Sequence, residues 1–493
     1  MNLNDFCSKD ASELAELVHR KEILPHELVS DAIDQIEESN PALNAVVYKR
    51  YEAALKEASQ VDSSLPFAGI PILLKDISQS VKGEVLTAGS KLLAKNIAKR
   101  DSHFVAALKK AGFIVVGSTN APEFGLKNIT EPKLHGPSRN PWNPAYSPGG
   151  SSGGAAASVA SGMVPVAGAS DGGGSIRIPA SFTGLVGLKP TRGRMPVGPG
   201  VGRQWQGAAV DFALTKTVRD TAALLDQLQT IQPAAAFQVP LFQQGYTEYL
   251  TNQSTKTFRI GFSTKSPVGT PVSEEAVNTV HQVANFLQQQ GHVVEQAQPN
   301  INGRALMEQY FLMNAGEMAG FVQTMEADLG KSLTHHDMEI ESWVLAEAGK
   351  KVTAGEFSLS LAAWDQAAEQ MAAFHEKYDL YLTPATAFDA PKIGELTPTQ
   401  QQIDKLLGVS SLESSAQQTL IYDMFEPSLT YTPFTQLANL TGQPGISLPT
   451  GQSLNGLPLG VQLMAPKGNE HWLLTVAKEL EQSPYWHQVT MIK

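Results

Sequence analysis

Two serines, each set inside a run of glycines, constrain this chain more than any other feature. The first lies in Ser147-Pro148-Gly149-Gly150-Ser151-Ser152-Gly153-Gly154. The second lies in Asp171-Gly172-Gly173-Gly174-Ser175-Ile176-Arg177-Ile178-Pro179-Ala180. Glycine allows turns and close backbone approaches that a side chain would block, so both serines belong to tightly folded main chain. A flexible linker is the bland reading of Gly and Ser. Against it, an Ala-rich helical run and the apolar stretch 163–167 follow at once. A phosphate-binding P-loop would end in Gly-Lys-Ser/Thr, and this run does not. Gly149-Gly150-Ser151-Ser152-Gly153 does satisfy the G-x-S-x-G pattern of a nucleophile elbow. That elbow needs a buried strand before it, whereas Arg139-Asn140-Pro141-Trp142-Asn143-Pro144-Ala145-Tyr146 holds two prolines and no strand pattern. His471 and His487, the later histidines a triad would require, stand in helix-like or tail contexts.

Composition narrows the remaining classes. The formal net charge of −11 over 493 residues disfavours nucleic acid and anionic membranes as partners. Cys7 is the only cysteine, which excludes an internal disulfide and a cysteine metal cage. His335-His336 is a tempting metal pair, but adjacent residues on a helix face different directions, so a solvated helix or loop is expected and no metal is assigned. The first ten residues lack an apolar h-region, and the Ala/Ser/Gly stretch 153–169 is too short and polar to span a bilayer. A cytoplasmic chain is the expectation.

Hydrophobic periodicity predicts a helical N-terminal segment over 1–60, with Asp10 as a cap, Glu13 three residues on, and a second helix after Pro25. Strand-like runs follow at 45–48 and 69–74. A helix over 101–112, stopped by Gly112, leads into the apolar run 113–116. The same grammar recurs as strand 259–262, helix 274–290, Gly291 as a C-cap and Val293-Val294. Runs 446–449 and 460–464 flank an Asn455-Gly456 turn, and helix 470–481 closes the chain. This alternation predicts an α/β fold, a large mixed sheet covered by helices, in one domain over 1–493. The Gln/Ser/Thr-rich region 391–418 reads as an irregular surface segment.

The run 149–180 resembles the signature of the amidase signature family at every constrained position, including the 24-residue interval from Ser151 to Ser175 and the flanking Asp171 and Arg177. Phe67-Ala68-Gly69-Ile70-Pro71-Ile72-Leu73-Leu74-Lys75-Asp76 looks like the family's lysine strand. Gly117-Ser118-Thr119-Asn120-Ala121-Pro122-Glu123-Phe124, Gly187-Leu188-Lys189-Pro190-Thr191 and Asn439-Leu440-Thr441-Gly442-Gln443-Pro444 look like further family blocks. Thr130-Glu131-Pro132, Arg139–Asn143 and 187–199 are similar to a bacterial subgroup that includes 6-aminohexanoate cyclic-dimer hydrolase.

The resemblance implies amide hydrolysis without cofactor or metal. Ser175 would be the nucleophile, Lys75 the base, and Ser151, after a cis peptide bond, the relay between them. Backbone amides of Gly172, Gly173, Gly174 and Ser175 would form the oxyanion hole. Ser152 would support the relay, and an Asp171–Arg177 pair would fix the Ser175 loop. Lys75 follows Ile72-Leu73-Leu74, where desolvation disfavours the ammonium form. The family often has Thr at the positions of Ser170 and Gly172, a departure that bears on loop rigidity. Asn128, Ile129 and Thr130, with segments 307–317 and 422–432, are the expected substrate pocket. The expected substrate is a small neutral amide, and a homodimer is compatible with such a chain. Two alternatives stay open: the glutaminase subunit of a tRNA-dependent amidotransferase, and a catalytically idle binding protein.

Overall fold

Strands whose residues are apolar throughout must be covered on both faces, and this chain supplies several. The structure, a computed structural model, describes residues 3–252 and 256–487. Its strands are β1 (Val46–Lys49), β2 (Pro71–Lys75), β3 (Ile114–Thr119), β4 (Val166–Asp171), β5 (Val186–Lys189), β6 (Val210–Thr215), β7 (Arg259–Phe262), β8 (Val293–Gln296), β9 (Leu380–Pro384), β10 (Gly445–Gln452) and β11 (Pro458–Met464). All eleven join one mixed sheet in the order β1-β3-β2-β4-β6-β5-β10-β11-β9-β7-β8. Every residue of β2, β5, β6, β9 and β11 is buried, so helices cover both faces, as the sequence predicts.

Register explains how the site is brought together. Strand β2 runs parallel to both β3 and β4, with Ile72 opposite Val166. The C-terminal ends of β2 and β4 therefore emerge side by side, carrying Lys75 and Asp171. In open α/β sheets the carboxyl ends of parallel strands are where binding crevices form. Strand β6 lies antiparallel to β4 and sets Asp211 opposite Ser170.

The N-terminal segment forms helices Leu3–Ser8, Ala11–His19, Pro25–Leu43 and Tyr51–Ala58, with β1 between the last two. Asp10 and Glu13 make the capping box that the sequence predicts. The region 391–418 departs from expectation. It contains the helix Gln400–Leu407, capped reciprocally by Thr399 and Gln402, and the start of the helix Ser414–Tyr431. Leu406, Val409 and Leu420 anchor this segment in a second apolar cluster with Met307, Phe311 and Phe425. Polar composition hid a helix pair whose few apolar residues all face inward. Among the described residues, no helix is long and apolar enough to cross a membrane, and no group of His, Cys, Asp or Glu is placed to hold a metal ion. His335 and His336 are exposed in a turn.

Candidate active site

Lys75 ends β2, and only 1% of its surface is exposed. Its Nζ lies 2.7 Å from Ser151 Oγ, 3.0 Å from Ser170 Oγ and 3.3 Å from the Ser170 carbonyl. Burial disfavours the ammonium and brings its pKa down to about 7, against the opposing pull of Asp211 and Asp171. Ser170, noted as a departure, thus retains a hydroxyl that contacts the lysine directly. The Lys75 amide donates to Gln79 Oε1 at 2.9 Å, and Gln79 Nε2 reaches Asp211 Oδ1 at 3.4 Å. Asp211 also accepts from Ser78 Oγ and Gln204 Nε2. Burial raises its pKa, and these hydrogen bonds and Lys75 hold it down.

The Gly150–Ser151 peptide is cis. Gly150 is required by packing: a Cβ there would lie 2.6 Å from the Ile129 backbone. This contact places Ile129 and Thr130 below the serine loop. Thr130 Oγ1 donates to the Gly149 carbonyl and accepts from the Gly153 amide, and both residues are fully buried. Neither lines the cavity, whereas Asn128 does. Of the three expected pocket residues, two support the loop and one faces the open space. Ser152 Oγ bridges to the Ser170 backbone, at 3.2 Å from its carbonyl and 3.4 Å from its amide.

The Ser175 loop is held from beneath. Asp171 and Arg177 are both completely buried and form a forked pair, Nη2–Oδ1 at 2.9 Å and Nε–Oδ2 at 3.0 Å. Burial pushes the Asp171 carboxyl up, and Arg177 and Asn439 outweigh it, so the group stays well below the usual carboxylate range. Arg177 also donates to the Thr435 carbonyl, Gln462 and Asn439. The Gly174 amide donates to Asp171 Oδ1 at 2.7 Å, so it is drawn into this support. Of the four expected oxyanion donors, Gly172, Gly173 and Ser175 remain to face the cavity, which all three line.

Two hydroxyls hold the carbonyls of this loop, one from the expected segment 307–317 and one beyond the expected residues. Tyr310 donates to the Gly172 carbonyl at 3.0 Å, and Thr435 donates to the Gly173 carbonyl at 2.7 Å. In a trans peptide the C=O and the next N–H point oppositely, so Tyr310 sets the direction of the Gly173 N–H. Gly174 has φ 129°, and a Cβ there would sit 2.1 Å from Thr435 Oγ1, which only glycine avoids.

Lys75, Ser151 and Ser175 share the wall of a cavity of about 790 Å³, within the range of small-molecule sites. Beyond them the lining is largely apolar: Phe124, Leu126, Met307, Phe311, Phe321 and Phe425. Phe124 takes a left-handed backbone at φ 51°, and its ring meets Phe321 at 4.8 Å between centroids. Two of the charged lining groups are already engaged, while Arg100 at the rim donates to the Pro199 carbonyl. Lys127 pairs with Glu341 at 2.8 Å, and Glu317 accepts from Gln206 at 2.7 Å. Segments 307–317 and 422–432 both contribute walls, while Trp205 and the rim formed by Ser80, Leu93, Arg100 and Val201 went unanticipated.

The Amidase family model matches residues 27–474. The chain is 42% identical to a lipoamidase of Enterococcus faecalis over 484 residues, covering 97% of this chain and 64% of that protein. It therefore spans just under two thirds of that relative's length. It is 36% identical to a 6-aminohexanoate-cyclic-dimer hydrolase of Paenarthrobacter ureafaciens, covering 97% and 95% of the two chains. A solved structure of a 6-aminohexanoate cyclic dimer hydrolase with substrate superposes with TM-score 0.87 at 34% identity, over 97% of both chains.

Proposed function

The chain belongs to the amidase signature family, and from that premise we propose that it hydrolyses amide C–N bonds through Ser175, Ser151 and Lys75. The observation that carries this reading is the Lys75 Nζ–Ser151 Oγ contact of 2.7 Å in a buried wall shared with Ser175. Neutral Lys75 takes the Ser151 proton as Ser151 takes that of Ser175, and Ser175 Oγ attacks the amide carbon. The Gly172, Gly173 and Ser175 amides receive the developing oxyanion. Collapse breaks the C–N bond, and the proton returns through Ser151 to the leaving amine. Water then repeats the attack on the ester, releasing the acid and restoring Ser175. The chain works as one catalytic unit, a reading supported by its single continuous sheet.

The cavity favours neutral amides with an extended apolar substituent over glutamine. Free glutamine would need partners for its charged amino and carboxylate groups, and the charges deep in this wall are committed to Glu341 and Gln206. The lipoamidase and the cyclic-dimer hydrolase are similar chains whose names describe substrates with such apolar segments. The purified chain alone, without ATP or tRNA, should release amine from Nε-octanoyl-lysine derivatives. Its kcat/KM should exceed that for the acetyl analogue by about 100-fold or more, at about 0.8 kcal/mol per buried methylene. Activity confined to glutamine, and only with a second subunit, would replace this reading with the amidotransferase one.

A further inference from the structure

Three consecutive side chains, Gln204, Trp205 and Gln206, leave one turn and reach three separate acceptors. Trp205 and Gln206 both take a left-handed backbone, at φ 50° and 53°, before Gly207 at φ 90°. Two adjacent non-glycine residues in that region are strained, and such a turn persists only where its surroundings hold it. The holding groups are side chains. Gln204 Nε2 donates to Asp211 Oδ2 at 3.1 Å, Trp205 Nε1 to Asn314 Oδ1 at 2.7 Å, and Gln206 Nε2 to Glu317 Oε1 at 2.7 Å.

Two of those acceptors lie on the helix Gly303–Leu329, which also carries Tyr310. Tyr310, Asn314 and Glu317 stand at i, i+4 and i+7, so they share one face of that helix. All three line the cavity with Trp205 and Ser175. Asn314 itself is buried. Burial raises the Tyr310 phenol to about 12, and the N–H groups of Asn314 and Trp205 beside its oxygen pull against that rise. A hydroxyl whose lone pairs face N–H donors turns its own hydrogen elsewhere, and here it goes to the Gly172 carbonyl at 3.0 Å. That contact fixes the plane of the Gly172–Gly173 peptide, and with it the aim of the Gly173 N–H.

We propose that Trp205, Asn314 and Tyr310 are positioning residues acting as one relay, which carries contact between an apolar substituent and the Trp205 indole to the Gly173 N–H of the oxyanion hole. The proposal rests on the amidase reading of the site. Trp205 is partly exposed in the cavity, and its strained backbone does not hold it unaided. A substituent packed on the indole keeps the indole N–H on Asn314, which keeps the Tyr310 hydroxyl on the Gly172 carbonyl. Selection for the substituent is then expressed in kcat, since an oxyanion donor acts on the transition state. A role confined to cavity shape would appear in KM instead.

The test separates transition-state binding from ground-state binding. Octyl trifluoromethyl ketone probes the first. Ser175 Oγ bonds to the ketone carbon, its proton passes through Ser151 to Lys75, the carbonyl oxygen becomes the oxyanion, and nothing leaves. The matching secondary alcohol fills the same space without that oxyanion. Tyr310→Phe, Asn314→Ala and Trp205→Phe should each lower kcat for octanoyl anilide by about 10-fold or more. Ketone affinity should fall by a similar factor, with KM and alcohol affinity unchanged. Trp205→Phe keeps an aromatic ring on the wall, so its loss of rate reports the N–H, and it should bring octanoyl and acetyl anilides closer in kcat. Trp205→Phe combined with Tyr310→Phe should lower kcat no further than Tyr310→Phe alone, because one path is broken twice. Full kcat in Tyr310→Phe, or equal weakening of ketone and alcohol, would overturn the relay. An octanoyl-to-acetyl ratio in kcat that Trp205→Phe leaves unchanged would also overturn it, making the indole a wall only. A wild-type chain that neither cleaves the anilide nor binds the ketone more tightly than the alcohol would instead count against the amidase reading.

Discussion

Replacing Ser175 with alanine is expected to reduce amide hydrolysis by about 10⁴-fold or more while leaving the fold intact. Ser175 is partly exposed at the cavity wall, and its loop is held by other groups. Asp171 accepts from the Gly174, Ile176 and Arg177 amides, and Arg177 ties Asp171 to Asn439 and Gln462. None of those contacts uses the serine hydroxyl, so its loss removes the proposed nucleophile and little else. Thermal unfolding of the variant should match wild type within a few degrees. Wild-type turnover by a folded Ser175→Ala enzyme would assign the nucleophile elsewhere.

Lys75→Ala should remove a comparable share of the rate together with its pH dependence. The lysine acts as a base only when neutral, and burial brings its pKa to about 7. Activity of the wild type should therefore rise with pH through neutrality and level off above it. Asp211, linked to the lysine strand through Gln79, favours the ammonium form. Asp211→Asn should consequently move the rising limb to lower pH, because removing the negative charge makes deprotonation of Lys75 easier. Ser151→Ala breaks the same proton path, so its effect combined with Lys75→Ala should fall well short of the product of the two. A Lys75→Ala enzyme that kept the wild-type profile at near full rate would make the lysine structural.

Much of the candidate site's geometry was legible because the residues that form it sit in local runs. Glycines flanking Ser151 and Ser175, and an apolar strand ending in Lys75, leave a pattern within ten residues each. The strands at 259–262, 446–449 and 460–464 were legible for the same reason, since alternation and glycine stops are local. What the sequence hides is contact between distant segments. Tyr310 and Thr435 reach the Gly172 and Gly173 carbonyls across more than a hundred residues, and a tyrosine in a helix of mixed polarity announces no such role. Asp211 lies on β6, separated from β2 by β4, and meets the lysine segment through hydrogen bonds from Ser78 and Gln79. Asn128, Ile129 and Thr130 read as one pocket segment. Their backbone turns between Asn128 and Ile129, so that one residue faces the cavity and two pack beneath Gly150. The helix Gln400–Leu407 did carry a sequence signal, Thr399 followed three residues on by Gln402, overshadowed by the polar composition around it.

The most direct test of the account is the covalent state of Ser175 during turnover. Rapid acid quenching of the enzyme with a slowly hydrolysed aryl amide, followed by peptide mass spectrometry, should find the acyl mass on the peptide containing Ser175. Added hydroxylamine should convert that species to the hydroxamate as it falls. An unmodified Ser175 peptide under conditions of steady product release, with no hydroxamate formed, would contradict the acyl-enzyme and with it the central claim.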